Sequence, residues 1–179
     1  MLIDDGKGRG FKAEVNAENE LVVRSISEPE LEHASNMGEA YSWDSQELDI
    51  VAGETMLYVR NDGDTPLILD RLDFNGSDVI CTWEIGIGSL TTVPAGTIVV
   101  GVNMNQVFST KAAEATAFSD ETAVDDAAVL FRVKTAISGH HQHDMTGVIL
   151  GKNHYVQINQ ETESNSGSVI LIGHFENPS

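Results

Sequence analysis

The chain is short of basic residues. Ten Lys and Arg stand against 28 Asp and Glu among 179 residues, a formal net charge of −18 at pH 7. Nonspecific nucleic-acid binding is built from Lys and Arg on phosphates, so this balance argues against a nucleic-acid partner. It argues equally against docking on an anionic membrane. Cysteine is nearly absent: with Cys81 alone no intrachain disulfide can form, which suits a cytosolic assembly site. Proline is scarce, at four residues, and aromatic residues make up only 6%. No apolar run approaches the roughly 20 residues that span a bilayer. The opening MLIDDGKGRG has no apolar h-region, and Lys and Arg are too few for a transit peptide, so neither targeting segment is expected.

What is present suffices for one core. Hydrophobic residues make up 41% of the chain, and its length is near the prior for one domain, about 150 residues. A chain of this size buries roughly 70% of its unfolded surface and needs no metal or disulfide staple. The charge is unevenly placed. Residues 1–12 carry Lys7, Arg9 and Lys12 against Asp4 and Asp5, a net of +1, whereas the remainder holds seven bases and 26 acids, a net of −19. The bases alternate with glycines in Gly6-Lys7-Gly8-Arg9-Gly10, followed by Phe11. Glycine at every second position opposes an unaided strand or helix. This segment therefore reads as an arm that orders on an acidic neighbour, with Phe11 as its apolar anchor.

Residues 21–26 predict a short strand. Ser27-Glu28-Pro29-Glu30 has the form of a capping box with Ser27 as N-cap, and Leu31, Ala34 and Met37 continue at helical spacing to a stop at Gly38. The expectation is one helix over residues 28–37. Beyond Trp43 the period becomes two. Residues 55–60 and 65–74 flank the turn Asn61-Asp62-Gly63-Asp64 and read as a hairpin. From 78 to 88, Val79, Cys81, Trp83, Ile85 and Ile87 share one face, the pattern of a half-buried antiparallel strand with Cys81 as a small core residue. Further strands are expected at 97–102, 128–134, 147–150, 155–160 and 168–175. In the last, Val169-Ile170-Leu171-Ile172 is apolar on both faces, marking a central strand or a subunit contact. Residues 103–127 read as a long acidic loop with one helical turn. The fold class is all-β: an antiparallel β-sandwich or jelly roll with an N-terminal extended arm and one short helix. Residues 1–43 form the arm and helix, and 44–179 the β-sandwich body.

Catalytic motifs are lacking: G-x-S-x-G, H-E-x-x-H and the P-loop do not occur, and no enzyme activity or cofactor is expected. Residues 139–144 hold half of the six histidines. In a strand His141 and His143 would share a face, as in the His-x-His pair of a cupin, with Asp144 beside them as a further candidate metal ligand. A cupin-like metal site also needs a Glu soon after the pair, but the next is Glu161. Asp120, Glu121, Asp125 and Asp126 lack the order of an EF-hand loop and read as a solvated acidic face. Trp43, Trp83 and Tyr155 would serve a lectin-like alternative as a sugar-stacking platform.

Several segments together carry a resemblance. Asp5-Gly6-Lys7-Gly8-Arg9-Gly10-Phe11-Lys12-Ala13-Glu14-Val15 leads into Asn19-Glu20-Leu21-Val22-Val23, then Ser27-Glu28, His33-Ala34 and Gly38-Glu39-Ala40-Tyr41-Ser42; the chain closes on Gly167-Ser168-Val169-Ile170-Leu171-Ile172-Gly173-His174-Phe175. This resembles a group of tailed-phage virion structural proteins, several from cyanophages. The resemblance implies a capsid decoration (cement) protein, a homotrimer on the outer surface of the major capsid protein lattice, with a head-fibre or tail-associated host- or glycan-binding module as the alternative. Lys7, Arg9, Phe11 and Lys12 are then the expected contacts with the lattice or an adjacent subunit.

Overall fold

The structure is a computed structural model, and it describes residues 14–15, 21–22, 30–46, 48–50, 54–76, 80–89, 96–106, 109–120, 127–136, 139–161 and 165–176. The elements in chain order are β1 (Glu14–Val15), β2 (Leu21–Val22), α1 (Glu30–Met37), β3 (Ala40–Asp44), β4 (Leu48–Ile50), β5 (Thr55–Asn61), β6 (Leu67–Gly76), β7 (Cys81–Ser89), β8 (Thr97–Val99), β9 (Val102–Asn103), β10 (Ala115–Ser119), β11 (Ala128–Thr135), β12 (His140–Leu150), β13 (His154–Gln160) and β14 (Asn165–Phe175). β1 and β2 pair with each other. The rest form two packed antiparallel sheets, as the alternating pattern predicts.

One sheet has the order β11-β7-β13-β5-β10-β8; the other runs β12-β6-β14-β3-β9, with β4 added on β14. The pairs β3–β14, β5–β13, β6–β12 and β7–β11 join first strand to last and so on inward. That nesting is a long antiparallel ribbon wrapped into a sandwich, the jelly-roll topology. β8, β9 and β10 are an insertion between β7 and β11. They lengthen both sheets on the same side, so β8 and β9 form one edge of the sandwich and β11 and β12 the opposite edge.

The interior follows from period-two side chains. Cys81, Trp83 and Ile85 of β7 point inward and are fully buried, as are Leu57 and Val59 of β5 and Val156 and Ile158 of β13. The facing sheet contributes Tyr41 and Trp43 from β3, Phe74 from β6 and Leu171 from β14. Phe74 and Trp83 meet across the sandwich with ring centroids 5.5 Å apart. The Trp83 indole N–H donates to Thr135 Oγ1 at 3.2 Å, so this ring is buried without an orphaned donor. The outer face of the β5–β13 region carries a second, smaller cluster, Tyr58 stacked on Tyr155 at 4.9 Å with Phe118 beside them. Gly88 lies under Tyr155, where any Cβ would collide with that ring.

α1 packs on the outer face of β14 and β3 through Ala34, its buried residue. It ends in a Schellman motif: the Gly38 N–H donates to Ser35 O at 2.9 Å and the Glu39 N–H to Ala34 O at 2.8 Å, with Gly38 at φ 72°. The expected helix and its stop agree with this; Ser27, its expected cap, lies outside the described residues.

Two expectations need correction. Residues 55–60 and 65–74 do not form a hairpin: β5 and β6 lie in different sheets. The turn exists, held by Asn61, whose Nδ2 donates to Thr65 O at 2.8 Å and Leu150 O at 2.9 Å. But β5 is buried on both faces and flanked by β13 and β10, so it has no free edge for β6. Nor is the stretch 103–127 a loop throughout. Ala115–Ser119 is a strand, β10, seated between β5 and β8. Its alanines read as helical, yet their small size fits a strand lying over a crowded core.

Candidate functional site

The structure separates the sequence-predicted residues. Lys7, Arg9, Phe11 and Lys12 lie outside the described residues. His140, His141, His143 and Asp144 lie on β12, the edge strand paired with β6. His141 stands opposite Phe74 and His143 opposite Leu72, so both point to the inner face. Their rings are 6.3 Å apart, and His143 lies against Phe131 of the other sheet at 4.3 Å. The pair thus closes the β11/β12 edge as half-buried aromatic packing. By strand alternation Asp144 falls on the opposite face, with His140, whose Nε2 is 3.9 Å from Asp73. Among the described residues no group of three or more His, Cys, Asp or Glu is placed to hold a metal ion. Trp43, Trp83 and Tyr155 are fully buried and offer no exposed ring to a sugar.

A cavity of about 420 Å³ lies beside α1, lined by Glu30, His33, Met37, Glu39, His174 and Glu176. Its built feature is a His–Asp pair. β6 carries a bulge at Asp70: the register with β14 steps from Ile172↔Arg71 to Gly173↔Leu69. The extra residue turns Asp70 toward His174, whose Nδ1 is 2.8 Å from Asp70 Oδ2. His174 is buried, at 3% exposure. The hydrogen bond to Asp70 raises its pKa above the ordinary histidine value, against the opposing effect of burial. No hydroxyl or thiol lines this cavity among the described residues. It holds a proton-binding pair, and the pair ties β6 to β14 beneath the helix.

The two sandwich edges differ from the rest of the surface. Nine large hydrophobic side chains are exposed among the described residues. Four of them, Ile98, Val100, Val102 and Met104, follow at every second position along the β8/β9 edge, with Ile98 and Val100 73% and 74% exposed. Three more, Val129, Leu130 and Ile149, lie on the β11/β12 edge. A groove of about 420 Å³ runs beside β8, bounded by Asp44, Gln46, Ile98, Val100 and Ser119. Exposed apolar side chains scattered singly are ordinary, but contiguous ones on a strongly charged chain mark contact surfaces. Reading for catalytic motifs passes over this edge, although a signal exists: between Glu84 and Lys111 there is no Asp, Glu, Lys or Arg. Asp70 and His174 carry no comparable signal, because 104 positions separate them and only the bulge brings them together. Compared with protein-family models, curated proteins and solved structures, the chain matches none.

Proposed function

We propose that this chain is a virion structural protein of a tailed phage, a capsid decoration (cement) protein that binds the outer surface of the major capsid protein lattice and stabilises the head. The observation that carries the reading is the pair of exposed apolar edges on an otherwise acidic jelly roll. Such a body offers protein-contact area. The resemblance of the N-terminal segments to phage virion proteins supports the same assignment. The net charge of −18 favours the outer side of a capsid over the side that faces packaged DNA. In this reading the basic segment with Lys7, Arg9, Phe11 and Lys12 holds the lattice, and the body assembles as a homotrimer. Symmetric closure around a lattice axis multiplies weak individual contacts.

Electron microscopy of purified particles tests the assignment: density for a two-sheet body of this size is expected on the outer capsid surface. Finding the chain only in the tail, or absent from particles, would falsify it. Deleting residues 1–12 is expected to release the protein from particles while the isolated chain keeps its β-sheet circular dichroism signal. Undiminished occupancy after that deletion sinks the role given to the arm.

A further inference from the structure

The two apolar edges stand at the same height across one sheet. From strand to strand, Val129 of β11 lies opposite Gly86, Gly86 opposite Gln157, Gln157 opposite Tyr58, Tyr58 opposite Phe118, and Phe118 opposite Ile98 of β8. One row thus begins at an exposed apolar residue on one edge and ends at an exposed apolar residue on the other. The sheet has six strands, each antiparallel to the next, so its two edge strands run in opposite directions. A second copy placed beside the first without reversal brings its β11 antiparallel to β8, with Val129 and Ile98 in one row. Edge strands offer unpaired backbone donors and acceptors to such a neighbour.

Charge selects the occupant. Most surfaces of this chain repel a second copy, but the segment between Glu84 and Lys111 includes all of β8 and β9 and has no charged side chain. A like-charged copy approaches there with the least repulsion. Asp44 and Asp120 are exposed beside β8, whereas the far edge is mixed: Lys134 and Arg132, the latter paired with Glu84, are exposed on β11 and Asp144 on β12. Lys134 has no carboxylate partner among the described residues. A basic or neutral foreign partner would explain the apolar stripe, but not the row that joins Ile98 to Val129 at the far edge.

We infer that the β8/β9 edge of one copy docks on the β11/β12 edge of the next, head to tail, with Ile98 against Val129. Such a contact is heterologous; it closes into a ring if the rotation per copy permits and otherwise extends. It rests on the contact-surface reading above and adds which two edges of the body meet between copies.

The test uses the purified full chain alone, so failure of the capsid assignment, read on particles, remains distinct from failure here. Val100→Asp and Leu130→Asp each place a charge in one of the two edges. Each is expected to raise the dissociation constant for self-association at least about tenfold in sedimentation velocity, because the carboxylate would be buried unpaired. Mixed one to one, the two variants are expected to form a heterodimer and stop there. The intact β11/β12 edge of Val100→Asp meets the intact β8/β9 edge of Leu130→Asp, and no further edge is available. Near-UV circular dichroism of Trp43 and Trp83 confirms folding, and Ile98→Lys and Val129→Lys replace a variant that fails it. A wild-type chain that stays monomeric throughout overturns the proposal. So does Leu130→Asp associating like wild type, which would mean an edge meeting its own copy, or a mixture that remains monomeric.

Discussion

The outer face of β14 and the β8/β9 edge present the same problem with opposite solutions. Both put apolar side chains outside the sandwich interior. At β14 the chain supplies its own cover: α1 lies over the strand, Ala34 is buried against it, and Ile172 is only 7% exposed. At β8/β9 no described element covers the stripe, and Ile98 and Val100 remain about three-quarters exposed. The difference teaches where stability and association reside. An apolar surface covered in cis contributes to folding, whereas one left bare contributes only when another molecule arrives.

The largest effect is expected in the shared interior, which sets the scale for both regions. Trp83→Ala removes the contact with Phe74 and strands Thr135 Oγ1, and should cost about 3–5 kcal/mol in urea unfolding; a loss below about 1 kcal/mol would contradict the packed interior. Next, Ala34→Asp puts a carboxylate under α1 and should cost at least about 2 kcal/mol. It also converts the covered face into a bare one, so new self-association is the second readout. An unchanged midpoint would mean that α1 is not a cover.

A smaller effect comes from His174. Its folded-state pKa is raised chiefly by the hydrogen bond to Asp70, in the presence of Glu30 and Glu176. The proton is bound more tightly in the folded state, so the stabilisation is fully present below the unfolded value near about 6.5 and disappears as pH rises through the folded value. Thermal midpoints of wild type should therefore fall, relative to Asp70→Asn, as pH rises from about 6 to the folded pKa and beyond. Parallel curves would remove the pair from the account. The smallest effect belongs to the bare edge: Val100→Thr should leave monomer stability within about 0.5 kcal/mol, measured below the concentration of self-association. A loss like that of Ala34→Asp would show the edge to be covered after all.

How far these regions were legible differs by the range of the interactions that make them. The strand of Cys81, Trp83 and Ile85 was readable because alternation is a local property, and α1 because Gly38 ends it with a local motif. β10 was misread, since its alanines carry no period-two contrast and only the flanking β5 and β8 make it a strand. The histidines were visible as a cluster. Their role as edge packing was not, because Phe131 and Phe74 reach them from β11 and β6.

By itself the sequence determined the all-β class, the burial of Cys81 and Trp83, the single helix stop and the separation of a basic opening from an acidic remainder. All of these follow from charge counts and from side-chain periods over a few residues. Only the tertiary structure decided that β5 and β6 part company at Asn61, that a bulge aims Asp70 at His174, and that Val129 and Ile98 end one row of a six-strand sheet. Each depends on which distant strand lies alongside, and that choice is made by the packing of the whole chain rather than by any one segment.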